Sequence, residues 1–180
     1  MNIKISRGLY TLRWEEYRDL KLEALRNEPL AFSPGIEAYE SYTDEDWQEE
    51  LDKGQTPPSM MLFAEEEDTE KLIGMIGIRF YELPRFQHNA GLQALYVTPE
   101  MRGQGVGKAL VSEALNVIAD NKQIENIVCE IVSSQEASLA LHKELGFEVV
   151  GTLKKFISHE GEYYDNYFLQ KRFSRHSPIR

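Results

Sequence analysis

The chain contains a single cysteine, Cys129, among its 180 residues. This shortage excludes a disulfide framework and a zinc module built from several cysteines. Hydrophobic runs are also short, and none approaches the roughly 18 residues that a membrane-spanning helix needs. The first residues lack the apolar stretch of a secretory signal peptide. We therefore expect a soluble cytoplasmic protein that has no membrane partner.

Positive charge is scarce, because 20 Lys and Arg side chains stand against 30 Asp and Glu, a formal net charge of -10. Such a surface repels the phosphates of nucleic acids and of anionic lipids, so we expect no nucleic acid as a partner. The acidic surface instead suits cationic or neutral small molecules. With a cysteine-rich zinc site excluded, we expect no metal.

Hydrophobic residues make up 42% of the chain, enough to bury one core, and we expect a single domain over residues 1–173. The polar, mostly basic segment 174–180 is expected to be a frayed tail. The acidic run 65–68 is typical of a solvated hairpin tip. Strands that meet in hairpins come first and alternate with helices later, which predicts a mixed α/β sheet.

Periodicity and capping residues set the expected boundaries of the helices and strands. Two capping boxes are expected to open helices, Thr43 with Asp46 and Ser133 with Glu136, and Gly146 suits a left-handed helix C-cap. The predicted helices cover 14–26, 43–54, 104–119 and a segment that ends at 145. The predicted strands cover 3–9, 60–65, 72–81, 87–97, 124–132, 147–157 and 163–173.

One stretch carries a clear chemical signal, the sequence Arg102-Gly103-Gln104-Gly105-Val106-Gly107 between a predicted strand and a long amphipathic helix. Glycines at alternate positions let successive backbone N–H groups converge without interference from Cβ atoms. These N–H groups lie at a helix N-terminus, where the helix dipole favours anions. The stretch therefore predicts a phosphate-binding turn, and Arg102 adds a positive charge beside it.

Two common phosphate-binding patterns do not fit this turn. A Walker A loop would require glycine in place of Arg102 and serine or threonine in place of Ala109. A dinucleotide-binding fingerprint would require its third glycine in place of Lys108. The spacing therefore argues against a nucleotide-binding protein of either kind.

The chain resembles the GNAT superfamily of acetyl-CoA-dependent N-acetyltransferases. The resemblance rests on segment 102–107 with 95–100 before it, on 138–147, and on 161–165 with Leu169 after it. The last of these segments resembles the branch of ribosomal-protein-alanine and spermidine acetyltransferases. The family implies a mixed, mostly antiparallel sheet of about seven strands, flanked by about four helices and splayed at the cofactor site.

The resemblance also implies where acetyl-CoA binds. The pyrophosphate of the cofactor is expected on the N–H groups of Gly103 to Lys108, and the pantetheine arm along the backbone of Leu95 to Val97. The backbone at Tyr96 and Val97 is expected to hold the oxyanion. The implied cofactor-binding residues are Leu95, Tyr96, Val97, Arg102, Gly103, Gln104, Gly105, Val106, Gly107, Lys108 and Gln135.

Three positions depart from the family pattern, and the first is Gln135, where the family usually has an asparagine near the start of the helix. The family usually has a tyrosine, the general acid, where this chain has His142. An imidazolium there can donate a proton to a thiolate, a neutral imidazole can hydrogen-bond sulfur, and a half-exposed helix histidine can simply pack on its neighbours. The usual glutamate base falls on Gly91, which also fits a β-bulge, and its neighbours His88, Asn89 and Gln93 are not carboxylates.

The absence of the usual glutamate base affects which amine we expect as the acceptor. A lysine-type amine with a pKa of about 10.4 needs about 4.6 kcal/mol to lose its proton at pH 7, whereas an α-amine with a pKa of about 7.7–8.0 needs only about 1. The sequence therefore favours an amine of low pKa, or a water chain to a distant carboxylate. The expected acceptor contacts, whose aromatic members also fit core packing, are Phe32, Tyr39, Gln93 and Tyr163.

The expected reaction is direct attack on acetyl-CoA by a primary amine of a small molecule or of a peptide or protein N-terminus, in a ternary complex. The alternative is a coenzyme A-binding sensor or regulatory module, which the absence of the usual glutamate and tyrosine would favour. A homodimer is compatible with the sequence.

Overall fold

A computed structural model describes residues 2–173, and the expected tail at 174–180 lies outside the described residues. The strands are β1 Ile3–Arg7, β2 Ser59–Glu66, β3 Leu72–Phe80, β4 Asn89–Val97, β5 Asn126–Val132, β6 Glu148–His159 and β7 Glu162–Arg172. They form one sheet in the order β1-β2-β3-β4-β5-β7-β6. β4 and β5 are parallel and the other neighbouring pairs are antiparallel. This confirms the predicted mixed, mostly antiparallel sheet.

Four α-helices lie within the same residues, and their bounds agree closely with the predicted ones. They are α1 Trp14–Asn27, α2 Asp44–Gln55, α3 Val106–Asp120 and α4 Glu136–Glu144. Two short 3-10 turns, Pro29–Ala31 and Ile36–Tyr39, occupy the segment between α1 and α2. None of the helices between residues 2 and 173 is long and apolar enough to cross a membrane.

The helices cover the two faces of the sheet and produce two hydrophobic cores. Successive side chains of a strand point to opposite faces, so Phe63 packs in the core with α1 and α2 while Leu62 packs in the core with α3. Leu141 and Leu145 of α4 pack against the same core as α3. The cofactor motif therefore lies on the α3 and α4 side, and the loop after α1 lies on the opposite side.

One of the two predicted capping boxes is confirmed and the other is wrong. The Thr43 hydroxyl accepts from the Asp46 N–H at 3.2 Å, and the Asp46 carboxylate accepts from the Thr43 N–H at 2.8 Å. At the start of α4 the N-cap is Gln135, with no side-chain cap. The Ser133 hydroxyl instead accepts from the Asp165 N–H at 3.2 Å, because Ser133 is drawn into the junction with β7.

The acidic run 65–68 is not a fully solvated tip, so that prediction was wrong at its first residue. Glu65 is 4% exposed, ion-pairs with Arg13 at 2.6 Å and accepts a hydrogen bond from the Ser6 hydroxyl. Burial alone would raise the pKa of Glu65, but the hydrogen bonds from Ser6 and Arg13 outweigh it and hold that pKa below its usual value.

Candidate active site

The parallel strands β4 and β5 separate after a short paired stretch. Asn89–Gly91 pairs with Asn126–Val128, and the described residues contain no further pairing between these two strands. β4 continues to Val97 alongside β3, while β5 continues to Val132 alongside β7. A wedge-shaped cleft therefore opens between two strands whose outer edges stay hydrogen-bonded, which is the splay that the family resemblance implied.

A β-bulge in β4 accompanies this separation. The register with β3 shifts between Met75 and Gly77, and Ala94 on the opposite strand has a φ of +54°, in the left-handed region that non-glycine residues rarely adopt. A bulge bends its strand, so β4 turns away from β5. Gly91, which also fitted a β-bulge by its sequence, does not form one, because it lies in regular pairing on both sides.

Side chains from both strands, from α4 and from the turn after α1 line the cleft. The lining residues are Ala31, Ile76, Leu92, Gln93, Ala94, Leu95, Cys129, Glu130, Ile131, Gln135, Ser138 and His142. The cleft thus brings together four of the residues predicted from the sequence, namely Gln93, Leu95, Gln135 and His142.

A larger open groove of about 660 Å³ is lined by β1, the residues that follow it and part of β2, but its side chains are less suited to an active site. Its two arginines are already paired, Arg7 with Glu113 and Arg13 with Glu65. None of the site residues predicted from the sequence lines this groove, whereas four of them line the cleft. The cleft between β4 and β5 is therefore the better candidate for an active site.

The glycine-rich stretch forms an open turn between β4 and α3. Gly103 and Gly105 have φ values of +71° and +86°, and a Cβ atom built on either would meet no atom within 4 Å. Gly105 is the N-cap of α3, no side chain caps this helix, and its first turn carries no acidic residue. The free N–H groups of the first turn are therefore accessible to an anion, and the open turn fits a pyrophosphate.

Arg102 is directed back toward the end of β4. Its Nε donates to the Val97 carbonyl at 3.0 Å, and its guanidinium forms an ion pair with Glu28 at 3.0 Å. The guanidinium also lies 5.7 Å from the centre of the Tyr96 ring. Arg102 therefore joins the glycine-rich turn to Glu28, the residue that follows α1. Its positive charge lies beside the turn, at the end of β4.

The other predicted polar cofactor residues have protein partners as well. Lys108 ion-pairs with Glu144 at 2.6 Å and so joins α3 to α4. The Gln104 amide donates to the Glu100 carbonyl at 2.8 Å, within the turn. Both Lys108 and Glu144 are more than half exposed, so this ion pair contributes little stability and exchanges readily for another partner.

The side chain of Tyr96 does not enter the cleft. It is 2% exposed, its hydroxyl donates to Glu23 at 2.8 Å, and the same hydroxyl accepts from the Asn27 amide at 2.8 Å. Only the backbone of Tyr96 remains available for the role that the resemblance implied, while its neighbour Leu95 lines the cleft.

His142 is a buried residue on the wall of the cleft, so the alternative of a half-exposed helix histidine was wrong. It is 3% exposed, and its ring packs edge-on against Phe147. Its Nδ1 lies 2.9 Å from the Ser138 carbonyl, which can only accept, so we assign the ring proton to Nδ1. Burial lowers the pKa of His142, although the bond to Ser138 opposes this shift. The structure therefore favours a neutral imidazole over a cationic proton donor.

Sequence reasoning missed Glu130 and Asn166. Glu130 lines the cleft, and its Oε2 accepts from the Asn166 amide at 2.6 Å, while Asn166 itself is 2% exposed. A carboxylate in an apolar stretch was the available signal, because every other residue from 127 to 132 is Ile, Val or Cys.

The predicted acceptor residues lie in different places. Gln93 lines the cleft, and Phe32 directly follows Ala31, which also lines it. Tyr39 is 8% exposed and stacks on Trp47 at 5.3 Å, so it belongs to the core. Tyr163 is 63% exposed on β7, outside the residues that line the cleft.

Comparison with known proteins identifies the family. The model of the acetyltransferase (GNAT) family matches residues 8–147. The chain belongs to the GNAT family. It is accordingly an N-acetyltransferase that uses acetyl-CoA.

Individual relatives extend this match. The Bacillus subtilis protein YwnH, provisionally named a phosphinothricin acetyltransferase, is 30% identical over 165 residues, which is 91% of this chain and 99% of that protein. The L-amino acid N-acetyltransferase AaaT of Escherichia coli is 26% identical over 100 residues, 56% of this chain and 61% of that protein. The structure of the yncA acetyltransferase from Salmonella typhimurium, with its cofactor acetyl-CoA, has a TM-score of 0.80 at 19% identity and covers 100% of this chain and 99% of that one. This last similarity shows the GNAT fold.

The glycine-rich turn can be tested with a matched pair of glycines. Acetyl-CoA at about 100 times its Kd stabilises a protein by about 2.7 kcal/mol, which for this size corresponds to a Tm rise of about 5–10 °C. We expect Gly105→Val to abolish the rise, because the new side chain would fill the space above the turn. Gly161→Val should keep it, since Gly161 has a φ of +84° and the same open surroundings in another turn. A full Tm rise in Gly105→Val, measured by thermal unfolding, would remove the turn from the site.

Burial of His142 predicts a pH dependence of stability. Because the folded-state pKa is lowered, the stabilising contribution is present above the unfolded value of about 6.5 and is lost as the pH falls through the folded pKa. We expect the free energy of unfolding to fall more steeply between pH 7 and 5 in the wild type than in His142→Gln. The exposed His88, changed to Gln, is the control. Equal slopes in wild type and His142→Gln would show that His142 does not titrate differently on folding.

Proposed function

We propose that this GNAT enzyme acetylates the α-amine of a small amino acid or amino-acid-like compound by direct attack in a ternary complex. The observation that carries the proposal is the cleft between β4 and β5, whose β4 wall leads directly into the glycine-rich turn of α3. One ligand with a long arm and a pyrophosphate suits both features at once. We also propose that residues 1–173 form a single N-acetyltransferase domain, and a homodimer is compatible with it.

In this proposal each part of the site has a distinct role toward the cofactor. The N–H groups of residues 103–108 hold the pyrophosphate, and the free edge of Leu95–Val97 binds the pantetheine arm. Acetyl-CoA, when bound, supplies the acetyl group and a thiol leaving group. His142, as a neutral imidazole with Nδ1–H fixed on Ser138, offers Nε2 as a hydrogen-bond acceptor on the cleft wall.

The choice of acceptor rests on two arguments. An α-amine is easier to deprotonate than a lysine-type amine, because it needs only about 1 kcal/mol to lose its proton at pH 7. The relatives described above are named for phosphinothricin, itself an α-amino acid, and for L-amino acids. We therefore favour a free amino acid over the ribosomal-protein or spermidine acceptors that the segment 161–165 suggested.

Lys21 supplies a suitable group for the carboxylate of such an acceptor. Its ammonium lies 5.2 Å from the centre of the Phe32 ring and 5.6 Å from that of Tyr39, beside the turn that lines the cleft. No carboxylate between residues 2 and 173 forms an ion pair with it. Burial lowers the pKa of Lys21, with Glu50 offsetting part of the effect. A half-buried ammonium without an ion-pair partner favours an anionic group on the ligand.

An acceptor panel with thiol release as the readout tests the proposal. We expect kcat/KM for α-amino acids to exceed that for the corresponding amines without a carboxylate, for spermidine and for an alanine-starting peptide by about tenfold or more. Lys21→Met should raise the KM for the amino acid about tenfold, since a charge-assisted hydrogen bond contributes about 1.5–3 kcal/mol. Lys53→Met, at an exposed position of α2, is the control.

Two results would contradict the proposal in different ways. A preference for spermidine or the peptide would assign another acceptor to the same cleft. Binding of acetyl-CoA without thiol release from any amine would favour the coenzyme A-binding sensor.

A further inference from the structure

Strand β6 forms one edge of the sheet, and within residues 2–173 no other strand pairs with its outer side. It is 12 residues long, and most of these residues are exposed. Solvent-facing edge strands are usually short, charged or covered, because an open edge offers unpaired backbone groups to other strands. β6 instead carries four large apolar side chains that are 39–59% exposed, namely Val149, Val150, Leu153 and Phe156. These are the features of an edge that another surface covers.

The opposite edge of the same sheet provides the contrast. Strand β1 has only five residues, and its two exposed side chains are the cations Lys4 and Arg7. Its apolar side chains, Ile3 and Ile5, pack against the core beneath α3. This edge is protected by its short length and by its charge, as is usual for an edge that stays in solvent. The exposed apolar side chains are therefore a specific property of β6 and not a general property of the sheet edges.

A bulge in β6 holds an aromatic side chain out from the sheet. The register with β7 shifts after Leu153, and Lys155 has a φ of +52°, in the left-handed region. The Asp165 carboxylate fixes the bulge, because it accepts from the Lys155 N–H at 3.0 Å and pairs with Lys154 at 2.7 Å. The side chain of Phe156, within the bulge, is exposed. Since a bulged edge is a poor template for open-ended strand stacking, it favours one specific partner.

Opposite charges flank the apolar stretch 149–153 of β6. Glu148 lies before this stretch and Lys155 after it, and neither forms an ion pair within the described residues. When two copies of one edge strand meet across a two-fold axis, the strands run antiparallel and each contact occurs twice. With the axis between positions 151 and 152, Glu148 of each copy lies opposite Lys155 of the other. The same arrangement places Val150 opposite Leu153, so the edge is complementary to itself in both charge and hydrophobicity.

We propose that β6 is the interface of a homodimer, in which two copies of this chain pair edge to edge about a two-fold axis. The 12 residues of β6 are about half of the roughly 20–30 that each partner contributes to a standard interface, so we expect a Kd in the micromolar range. β7 lies between β6 and the cleft-lining strand β5, so the interface does not use the active site. The inference goes beyond the proposed function and does not depend on which amine is the acceptor.

Sedimentation velocity over a range of protein concentrations tests the interface. We expect Leu153→Lys to raise the Kd of the dimer about 100-fold or more, because two ammonium groups would be buried near the axis without acidic partners. Leu83→Lys is the matched control and should leave the Kd unchanged, since Leu83 is equally apolar and exposed in the loop between β3 and β4. A cooperative thermal unfolding transition in each variant checks that the chain is folded.

An exchange of the flanking charges tests the antiparallel arrangement. Glu148→Lys and Lys155→Glu each place like charges opposite one another twice, so each should raise the Kd about tenfold at low salt. The double variant should return the Kd to within about threefold of the wild type, because the pairs form again with reversed signs. Lys4→Glu, on the exposed β1 edge, changes the net charge as much as Lys155→Glu does and should leave the Kd unchanged.

Three results would overturn the proposal. A wild-type chain that stays monomeric up to about 1 mM would show that β6 does not bind a second copy. A dimer whose Kd is the same in Leu153→Lys and in the wild type would have its interface elsewhere. Additive weakening in the double charge variant, without restoration, would contradict the two-fold antiparallel pairing. None of these measurements involves turnover, so they remain valid whether or not the proposed function is correct.

Discussion

The separation of β4 from β5 is the constraint on which the rest of the site depends. Backbone groups on the inner edges of two neighbouring strands would normally satisfy each other, and a sheet seldom leaves them unpaired in its interior. Here the outer edges stay bonded to β3 and β7, while Ala94, with its φ of +54°, bends β4 away. The conformational strain of such a residue, about 1–3 kcal/mol, persists only where the surrounding structure enforces it. The free inner edges are what a peptide-like cofactor arm can bind.

Helix α1 holds the open strand in place from the face of the sheet opposite α3. The Tyr96 hydroxyl is bonded to both Glu23 and Asn27, and Arg102 bridges the Val97 carbonyl and Glu28. The glycine-rich turn and the segment after α1 are thus joined through the end of β4. In the proposed function, this connection gives the two substrates adjoining sites, with acetyl-CoA on the α3 side and the acceptor on the α1 side.

Local patterns were sufficient to predict much of this architecture. The cap at Thr43 and the glycine-rich turn both depend on residues close together in the chain, and both were found. Glu130 was missed because its orientation depends on Asn166, 36 residues away, across a pairing that no local pattern reveals. His142 was located from the family motif, but its neutral state depends on burial and on the Ser138 carbonyl, which are properties of the folded protein.

Amide hydrogen exchange with and without acetyl-CoA tests most directly whether the splayed strands and the glycine-rich turn form one cofactor site. Within residues 2–173, the structure leaves the N–H groups of the turn without side-chain caps and the inner edge of β4 beyond Gly91 without a strand partner. The account predicts that acetyl-CoA slows exchange at residues 95–97 and 103–108 together, and leaves the free edge of β1 unchanged. Protection at the β1 edge with no change in the turn would contradict it.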